Sequence, residues 1–365
     1  MTADQDLVIV GLGALGSATA CWAAQRTGRR VLALEQFEIG HDRGASEDVS
    51  RIIRRSYHRG DYVRLTAGAY DAWAEVERAS GRRVVVRTGG LDLGPAKPAA
   101  GVAIDLRDYA AAMAAEGVPF ERLDAAEIMR RWPAWRLEDG HAGLFQPDAG
   151  LADPSAGNPA PRDLAVAHGA ELRANARVAA LEPREGETVV VLEDGTRIAA
   201  GAVVVAADAW TSRLLEPLGV HLPLTITQEQ VAWFTPRADP TAFAPERFPV
   251  WIWMDEPSFY GFPAYGFPGP KVGQDVGGRP VTPETRTFDP DPDVEARVIA
   301  FLAARLPDMA GTPFRTRTCL YTLTRDRDFV VDRVPGAPGV QVVLGAAHAY
   351  KFASLLGRIL AERAF

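Results

Sequence analysis

The sequence contains little cysteine and no long apolar run, and both scarcities limit what the protein can be. Cys21 and Cys319 are the only cysteines in 365 residues, which is too few for a disulfide framework. No apolar stretch approaches the roughly 20 residues that a membrane helix requires. The first residues, MTADQDLVIVGLGALG, lack the basic segment that precedes the apolar stretch of a secretory signal. We therefore expect a cytoplasmic protein with no membrane partner.

An excess of positive charge is also missing. The formal net charge is −7, which disfavours a nucleic-acid partner. The histidines are scattered without the spacing of a metal site, so we expect no metal. Hydrophobic residues make up 47% of the chain, and the length suits two domains with a core that could enclose a bulky cofactor.

The first forty residues have the pattern strand, glycine turn, helix, strand. The run DLVIV precedes GLGALG, an alanine-rich segment follows, and RVLALE reads as a second strand. Gly11, Gly13 and Gly16 fit the spacing G-x-G-x-x-G, which permits a tight turn, close approach of a pyrophosphate and close packing of the helix. Glu35 ends the second strand, where a carboxylate binds a ribose hydroxyl. This unit predicts a site for NAD or for the adenosine half of FAD, and disfavours NADP.

The next segment is rich in arginine. Five arginines lie between Arg43 and Arg59, among small residues and a pair of carboxylates. We interpret the segment as a small-residue loop followed by an arginine-led helix that could enclose a second nucleotide half. A solvated basic helix face is the alternative.

Six motifs, in order, resemble those of one family. They are the glycine unit, SRIIR at 50–54, LFQPDAGLADPSAG at 144–157, VVVAADAWT at 203–211, FYGFP at 259–263 and the segment around Cys319. The chain resembles the monomeric sarcosine oxidase and N-methyltryptophan oxidase family of FAD-dependent amino-acid oxidases over nearly its whole length. The resemblance implies a monomer that oxidises a small secondary or N-methyl amino acid with dioxygen, giving imine or aldehyde plus amine and hydrogen peroxide.

The resemblance also implies the fold class. We expect an α/β Rossmann-type FAD-binding domain, glutathione-reductase-like, with an α+β substrate domain on a mostly antiparallel sheet. The FAD-binding domain would be discontinuous, comprising 1–85, 145–215 and 320–365, and the substrate domain would comprise 86–144 and 216–319. The run RVVVRTGGLDLG reads as a hairpin with a Gly-Gly turn. The family usually continues in a short tail beyond the equivalent of Phe365, and the sequence leaves open whether one is missing.

The cofactor residues follow from the resemblance. In the family, a cysteine in a C-x-Y-T strand is bound through sulfur to the flavin 8α-methyl carbon, and Cys319-Leu-Tyr-Thr matches it. A buried, inert cysteine is the alternative. The resemblance implies further cofactor contacts at Ser46, Arg51, Val178, Gly345 and Lys351.

The catalytic and substrate residues follow in the same way. Arg54 and Lys351 match the cations that hold the substrate carboxylate. Arg51 matches an arginine beneath the flavin ring, and Lys271 matches the lysine that activates oxygen. Tyr260 and Tyr321 match aromatic residues of the pocket. The sequence leaves open whether Trp251 and Trp253 narrow the pocket or belong to the core, and among the histidines only His348 falls near the pocket.

Four acidic residues depart from the family pattern. Glu47 and Asp48 replace a common His-Gly pair, Asp208 replaces a glycine, and Asp275 replaces a histidine. An acidic lining would suit a substrate with an additional cationic or polar group.

The alternatives to an oxidase of a small secondary or N-methyl amino acid are an oxidase of a cyclic or basic amine, a flavin dehydrogenase with another electron acceptor, a flavin-binding protein without catalysis and an NAD-dependent dehydrogenase.

Overall fold

A computed structural model describes residues 3–26, 28–100, 102, 105–237 and 239–365. The strands, in chain order, are β1 Gln5–Val10, β2 Val31–Leu34, β3 Arg51–Ile53, β4 Val85–Arg87, β5 Gly90–Pro95, β6 Glu121–Asp124, β7 His141–Gln146, β8 Gly150–Ala152, β9 Glu171–Arg173, β10 Val178–Arg184, β11 Glu187–Leu192, β12 Arg197–Val205, β13 Thr225–Phe234, β14 Val250–Trp253, β15 Phe259–Phe262, β16 Lys271–Gln274, β17 Arg279–Pro280, β18 Pro313–Leu323, β19 Val330–Val334 and β20 Ala337–Leu344. The helices are α1 Ala14–Ala24, α2 Gly60–Ser80, α3 Leu106–Ala115, α4 Ala125–Arg131, α5 Pro154–Gly157, α6 Pro159–Ala167, α7 Thr211–Leu215, α8 Pro292–Arg305 and α9 Ala353–Ala364.

The first sheet is mixed and has a parallel centre. Strand β1 lies between β2 and β12, and the parallel set continues to β9 on one side and β20 on the other. Strands β10, β11 and β19 add antiparallel pairs. The central strands are buried on both faces, as parallel sheets require. This is the expected Rossmann-type layer.

Helices α1 and α9 pack against each other on this sheet. Residues of β1, β2, β12 and both helices share one apolar cluster. A Cβ on Gly357 of α9 would lie 2.5 Å from the Ala18 backbone carbon of α1. The close packing therefore fixes the start of α1 relative to the C-terminal segment of the chain.

The second sheet has nine strands in the described ranges and is mostly antiparallel, as expected. Its path is β17-β13-β16-β15-β14-β5-β7-β6, with β18 beside β13. Within the described residues, β14 and β5 are the only strands of this sheet that pair in parallel. Helix α8 packs on this sheet through Phe301, which stacks on Trp251 of β14. Trp251 in turn contacts Trp135. The mixed architecture agrees with the predicted fold class, whereas the domain boundaries stay a prediction.

Two local predictions were wrong. The run RVVVRTGGLDLG is not a hairpin, because β4 pairs with β8 in a separate three-stranded sheet and β5 pairs with β14 and β7. The segment SRIIR is not the start of a helix, because Arg51–Ile53 forms β3 and pairs with β8. Helix α2 begins only at Gly60.

Within the part of the chain that the structure describes, no helix is both long and apolar enough to span a membrane. The described His, Cys, Asp and Glu side chains also form no group of three that could bind a metal ion.

Candidate active site

The glycine turn after β1 fits closely against neighbouring backbone. Gly11 has φ +102°, and a Cβ there would lie 2.5 Å from the Ala206 carbonyl oxygen. A Cβ on Gly16 would lie 1.8 Å from the Gly11 carbonyl oxygen. These two positions therefore require glycine, one for its backbone conformation and the other for close packing of α1.

The start of α1 suits an anion, and Ser46 accepts from its first N–H group. Its N-cap residue, Gly13, provides no side-chain cap, and the first turn has no acidic residue. The Ala14 N–H donates to Ser46 Oγ at 2.9 Å, and a Cβ on Gly13 would lie 2.8 Å from the same oxygen. Backbone N–H groups at a helix start suit a pyrophosphate.

Glu35 lies where the sequence predicted it, just after β2. Its Oε2 accepts from the Leu12 N–H at 2.9 Å, and its Oε1 lies 3.2 Å from His41 Nε2. Burial alone would raise the pKa of Glu35, but the hydrogen bonds from His41 and Leu12 lower it overall. The carboxylate is therefore held ionised beside the glycine turn. His41 was missed by the sequence analysis, because its only signal was an isolated histidine after the strand.

A cavity of about 540 Å³ runs along the glycine turn and both sheets. This size is typical of ligand sites. The predicted site residues that line it are Gly11, Gly13, Glu35, Ser46, Arg51, Arg54, Val178, Tyr260, Lys271, Cys319, Tyr321, Gly345 and Lys351. Gly16 does not line the cavity and serves helix packing. Residues from distant parts of the chain thus meet at one site.

One wall of the cavity holds a cluster of two cations and one acid, in which Lys271 and Asp48 are buried and Arg51 is partly buried. Asp48 Oδ2 accepts from Lys271 Nζ at 2.9 Å and from Arg51 Nη1. Lys271 also donates to the Ser50 carbonyl at 2.7 Å, and its side chain is 2% exposed. Burial lowers the pKa of Lys271 to about 8, with Asp48 opposing and Arg51 adding to the decrease. Asp48 stays ionised, because Lys271 and Arg51 lower its pKa against the effect of burial.

Arg54 and Lys351 lie near each other at another part of the cavity. Arg54 Nη1 donates to Asp92 Oδ1 at 2.9 Å, whereas Lys351 Nζ donates to the His348 carbonyl at 2.8 Å. Both cationic groups lie over the Tyr57 ring, at 5.2 Å and 5.7 Å from its centroid. Burial lowers the pKa of Lys351 to about 7, and the charge of Arg54 adds to the decrease. A substrate carboxylate would relieve this repulsion.

Tyr260 and Tyr321 face each other, with their hydroxyl oxygens 3.2 Å apart. Cys319 lies on the same strand as Tyr321 and is partly exposed to the cavity. Burial raises the pKa of the Cys319 thiol to about 11, while Arg51 acts to lower it. Cys21, in contrast, is fully buried in α1.

Three of the four unexpected acids have cationic partners. Besides the Asp48 cluster, Arg162 lies 3.6 Å from Glu47, and Arg327 lies 3.4 Å from Asp275. All four line the cavity. Asp208 has no ion-pair partner among the described residues, and burial raises its pKa to about 6. Three of the four acids are therefore balanced by cations of the protein itself.

Two open questions on aromatic residues are settled by burial and contacts. Trp251 and Trp253 pack in the core against Phe301 and do not line the cavity. His348 does line it, and its Nε2 lies 2.8 Å from the Arg327 carbonyl oxygen. Because a carbonyl only accepts, Nε2 carries the proton. Burial lowers the pKa of His348 to about 3, so the ring is neutral.

A Rossmann-type layer with a glycine turn at a helix start, a buried carboxylate just after β2 and a cation-lined cavity are typical of an oxidoreductase that uses a dinucleotide cofactor. The chain belongs to the FAD dependent oxidoreductase (DAO) family, whose profile matches residues 6–363. The glycine turn, the start of α1 and Glu35 fit the adenosine and pyrophosphate parts of FAD.

Several relatives cover nearly the whole chain. Monomeric sarcosine oxidase of Streptomyces avermitilis is 37% identical over 378 residues, which is 100% of this chain and 94% of that protein. N-methyl-L-tryptophan oxidase of Salmonella heidelberg is 30% identical and covers 98% of this chain and 94% of its own length. Among solved structures, NikD, described as an unusual amino acid oxidase essential for nikkomycin biosynthesis, matches in its open form with a TM-score of 0.87 and 31% identity, covering 100% of this chain and 94% of that one.

Proposed function

We propose that the protein is an FAD-dependent amine oxidase that acts on a small secondary or N-methyl amino acid and reduces dioxygen to hydrogen peroxide. The main supporting observation is the pair Arg54 and Lys351, which lines the same cavity as the FAD-binding glycine turn. Two cationic side chains close to each other at the cavity can both donate hydrogen bonds to a substrate carboxylate. The names of the relatives support the same reaction class.

In this reaction the substrate loses one hydrogen from carbon and one from nitrogen, and dioxygen gains both as hydrogen peroxide. FAD, when bound, supplies the two-electron acceptor between them. Arg54 and Lys351 would bind the carboxylate and orient the C–N bond. Tyr260 and Tyr321 would enclose the substrate and exclude water. The imine product then hydrolyses to an aldehyde and an amine.

Lys271 is the proposed site of oxygen activation. It is a buried cation at the cavity wall, and a fixed positive charge stabilises negative charge that develops on oxygen during reduction. A dehydrogenase that passes electrons to another acceptor is the alternative, because the same amine chemistry needs no oxygen site.

We also propose that Cys319 attaches the cofactor covalently. Its strand places the sulfur at the cavity, near Arg51. The bond would join the sulfur to a carbon of FAD with net loss of two hydrogens, for which dioxygen is the acceptor. A monomer is expected from the family resemblance, and the cytoplasmic location remains a prediction from the sequence.

The deciding experiment compares two acceptors. Peroxide formation is measured with sarcosine, proline, pipecolate and a basic amine, for the wild type and Lys271→Met. Reduction of an artificial dye by the same substrates without oxygen is measured in parallel. We expect Lys271→Met to lose peroxide formation while it keeps dye reduction. Dye reduction without peroxide in the wild type would support the dehydrogenase, and no turnover of any amine would contradict the proposal.

A further inference from the structure

Asp48 connects two functional cations through one oxygen atom. Its Oδ2 accepts from both Lys271 Nζ and Arg51 Nη1, while its Oδ1 accepts from the Val49 N–H at 2.7 Å. The Asp48 side chain is 4% exposed and the Lys271 side chain is 2% exposed. Both carboxylate oxygens are thus engaged, and the Val49 N–H helps to fix the orientation of the acid.

The charges in this cluster do not cancel. Lys271 and Arg51 together carry two positive charges, and Asp48 supplies one negative charge. Without Asp48, the buried Lys271 and the partly buried Arg51 would face each other as like charges, which disfavours the charged form of the group that can lose a proton. That group is Lys271, because arginine stays protonated.

We infer that Asp48 is a positioning residue that keeps the Lys271 ammonium group charged and fixed at the cavity wall. The inference rests on the proposed oxygen role of Lys271. It concerns this chain in particular, because Asp48 stands where the family that the sequence resembles commonly has glycine. Lys271 Nζ also donates a hydrogen bond to the Ser50 carbonyl, which helps to orient the ammonium group. Asp48 is the partner whose negative charge stabilises the protonated form.

The composition makes a direct test possible. Lysine occurs only at Lys97, Lys271 and Lys351. Biosynthetic labelling of the holoenzyme with [ε-13C]lysine would therefore give three side-chain signals, and substitution of each lysine in turn would assign them. Lys97 is exposed and serves as an internal reference. The signal of Lys271 then reports its titration without turnover.

The expected results have opposite signs for the two partners of Lys271. Asp48→Asn should lower the titration midpoint of Lys271 by about one pH unit or more, and Asp48→Glu should restore part of the shift. Arg51→Gln should raise the midpoint, because it removes a like charge. The Lys351 midpoint should not move with the Asp48 variants. An unchanged Lys271 midpoint in Asp48→Asn, or a lowered one in Arg51→Gln, would overturn the inference.

Oxygen kinetics separate this inference from the proposed function. Reoxidation of the reduced holoenzyme by oxygen is followed against pH for the wild type and Asp48→Asn. As the pH is raised, the rate should decline once Lys271 loses its proton. We expect this decline to begin at a lower pH in Asp48→Asn than in the wild type, by the same shift as the Lys271 midpoint. Glu47→Gln removes an adjacent acid that lies beside Arg162 instead, so the pH at which its rate falls should match the wild type. A shifted Lys271 midpoint with an unshifted oxygen profile would retain the role of Asp48 and reject the oxygen role of Lys271.

Discussion

Lys351→Met is the cleanest test of carboxylate binding. The Lys351 side chain is buried, and its amine donates to the His348 carbonyl at 2.8 Å. Among the described residues it has no acid within ion-pair distance, so its removal leaves no buried carboxylate without a partner. Arg54 is less suitable, because its loss would strand the buried Asp92.

The size of the effect follows from a charged hydrogen bond in a buried site. Such a bond contributes about 1.5–3 kcal/mol, which corresponds to roughly a 10- to 150-fold loss in kcat/KM. The pKa of Lys351, lowered to about 7 by burial and Arg54, sets the sign of the pH dependence. The free enzyme carries the charge below this pH and loses it above, so kcat/KM in the wild type should decline as the pH rises through 7. The variant should lack that decline.

The assay is peroxide formation with two substrates, sarcosine and N-methylethylamine. The second has the same kind of amine and no carboxylate. We expect Lys351→Met to lose activity on sarcosine only. On N-methylethylamine, the wild type and Lys351→Met should have similar kcat/KM. An equal loss on both substrates would refute the reasoning, because it would mean that Lys351 supports the fold or the cofactor instead of the carboxylate.

Two further predictions concern the covalent attachment of the cofactor and the packing of α1 at the glycine turn. In acid-precipitated wild type the yellow colour should stay in the pellet, and in Cys319→Ser it should move to the supernatant; colour in the wild-type supernatant would make Cys319 a structural residue. Gly16→Ala should reduce the free energy of unfolding by about 1–3 kcal/mol, because its Cβ would clash with the Gly11 carbonyl. Gly339→Ala, whose Cβ would meet its nearest atom at 3.5 Å, is the matched control and should keep the wild-type melting temperature.

The signals from which the sequence predicts the nucleotide end of the site are local. Gly11, Gly13 and Gly16 lie within six consecutive residues, and each spacing has its own steric cause. The strand before them and Glu35 after them complete one continuous unit. The substrate end has no such unit, since Arg54, Lys271 and Lys351 come from separate parts of the chain, and only the family resemblance brought them together.

Strand pairing shows where local reasoning fails. The Gly-Gly step at 89–90 favours a tight turn between two strands, yet β4 and β5 enter different sheets. The cause is non-local: a Cβ on Gly90 would lie 2.5 Å from the Ala149 Cβ, and Gly150 fits against the Val86 carbonyl. The glycines allow strands from distant parts of the chain to approach. A single sequence contains no local signal for that partner.

The acidic residues likewise have partners that the local sequence does not indicate. In the sequence, Glu47, Asp48, Asp208 and Asp275 read as an acidic lining that favours a cationic substrate group. In the fold, three of them lie beside cations, and burial raises the pKa of Asp208 to about 6.

Lys351 is the buried cation without an acidic partner in the described cavity lining, so the local field near Arg54 favours an anion. A cationic side chain would also have to compete with Arg327 for Asp275, at the cost of separating an existing pair. The structure therefore favours a substrate whose carboxylate is its main charged contact. In the substrate comparison, a basic amine oxidised faster than sarcosine would mean that the pair of Asp275 and Arg327 opens to admit it.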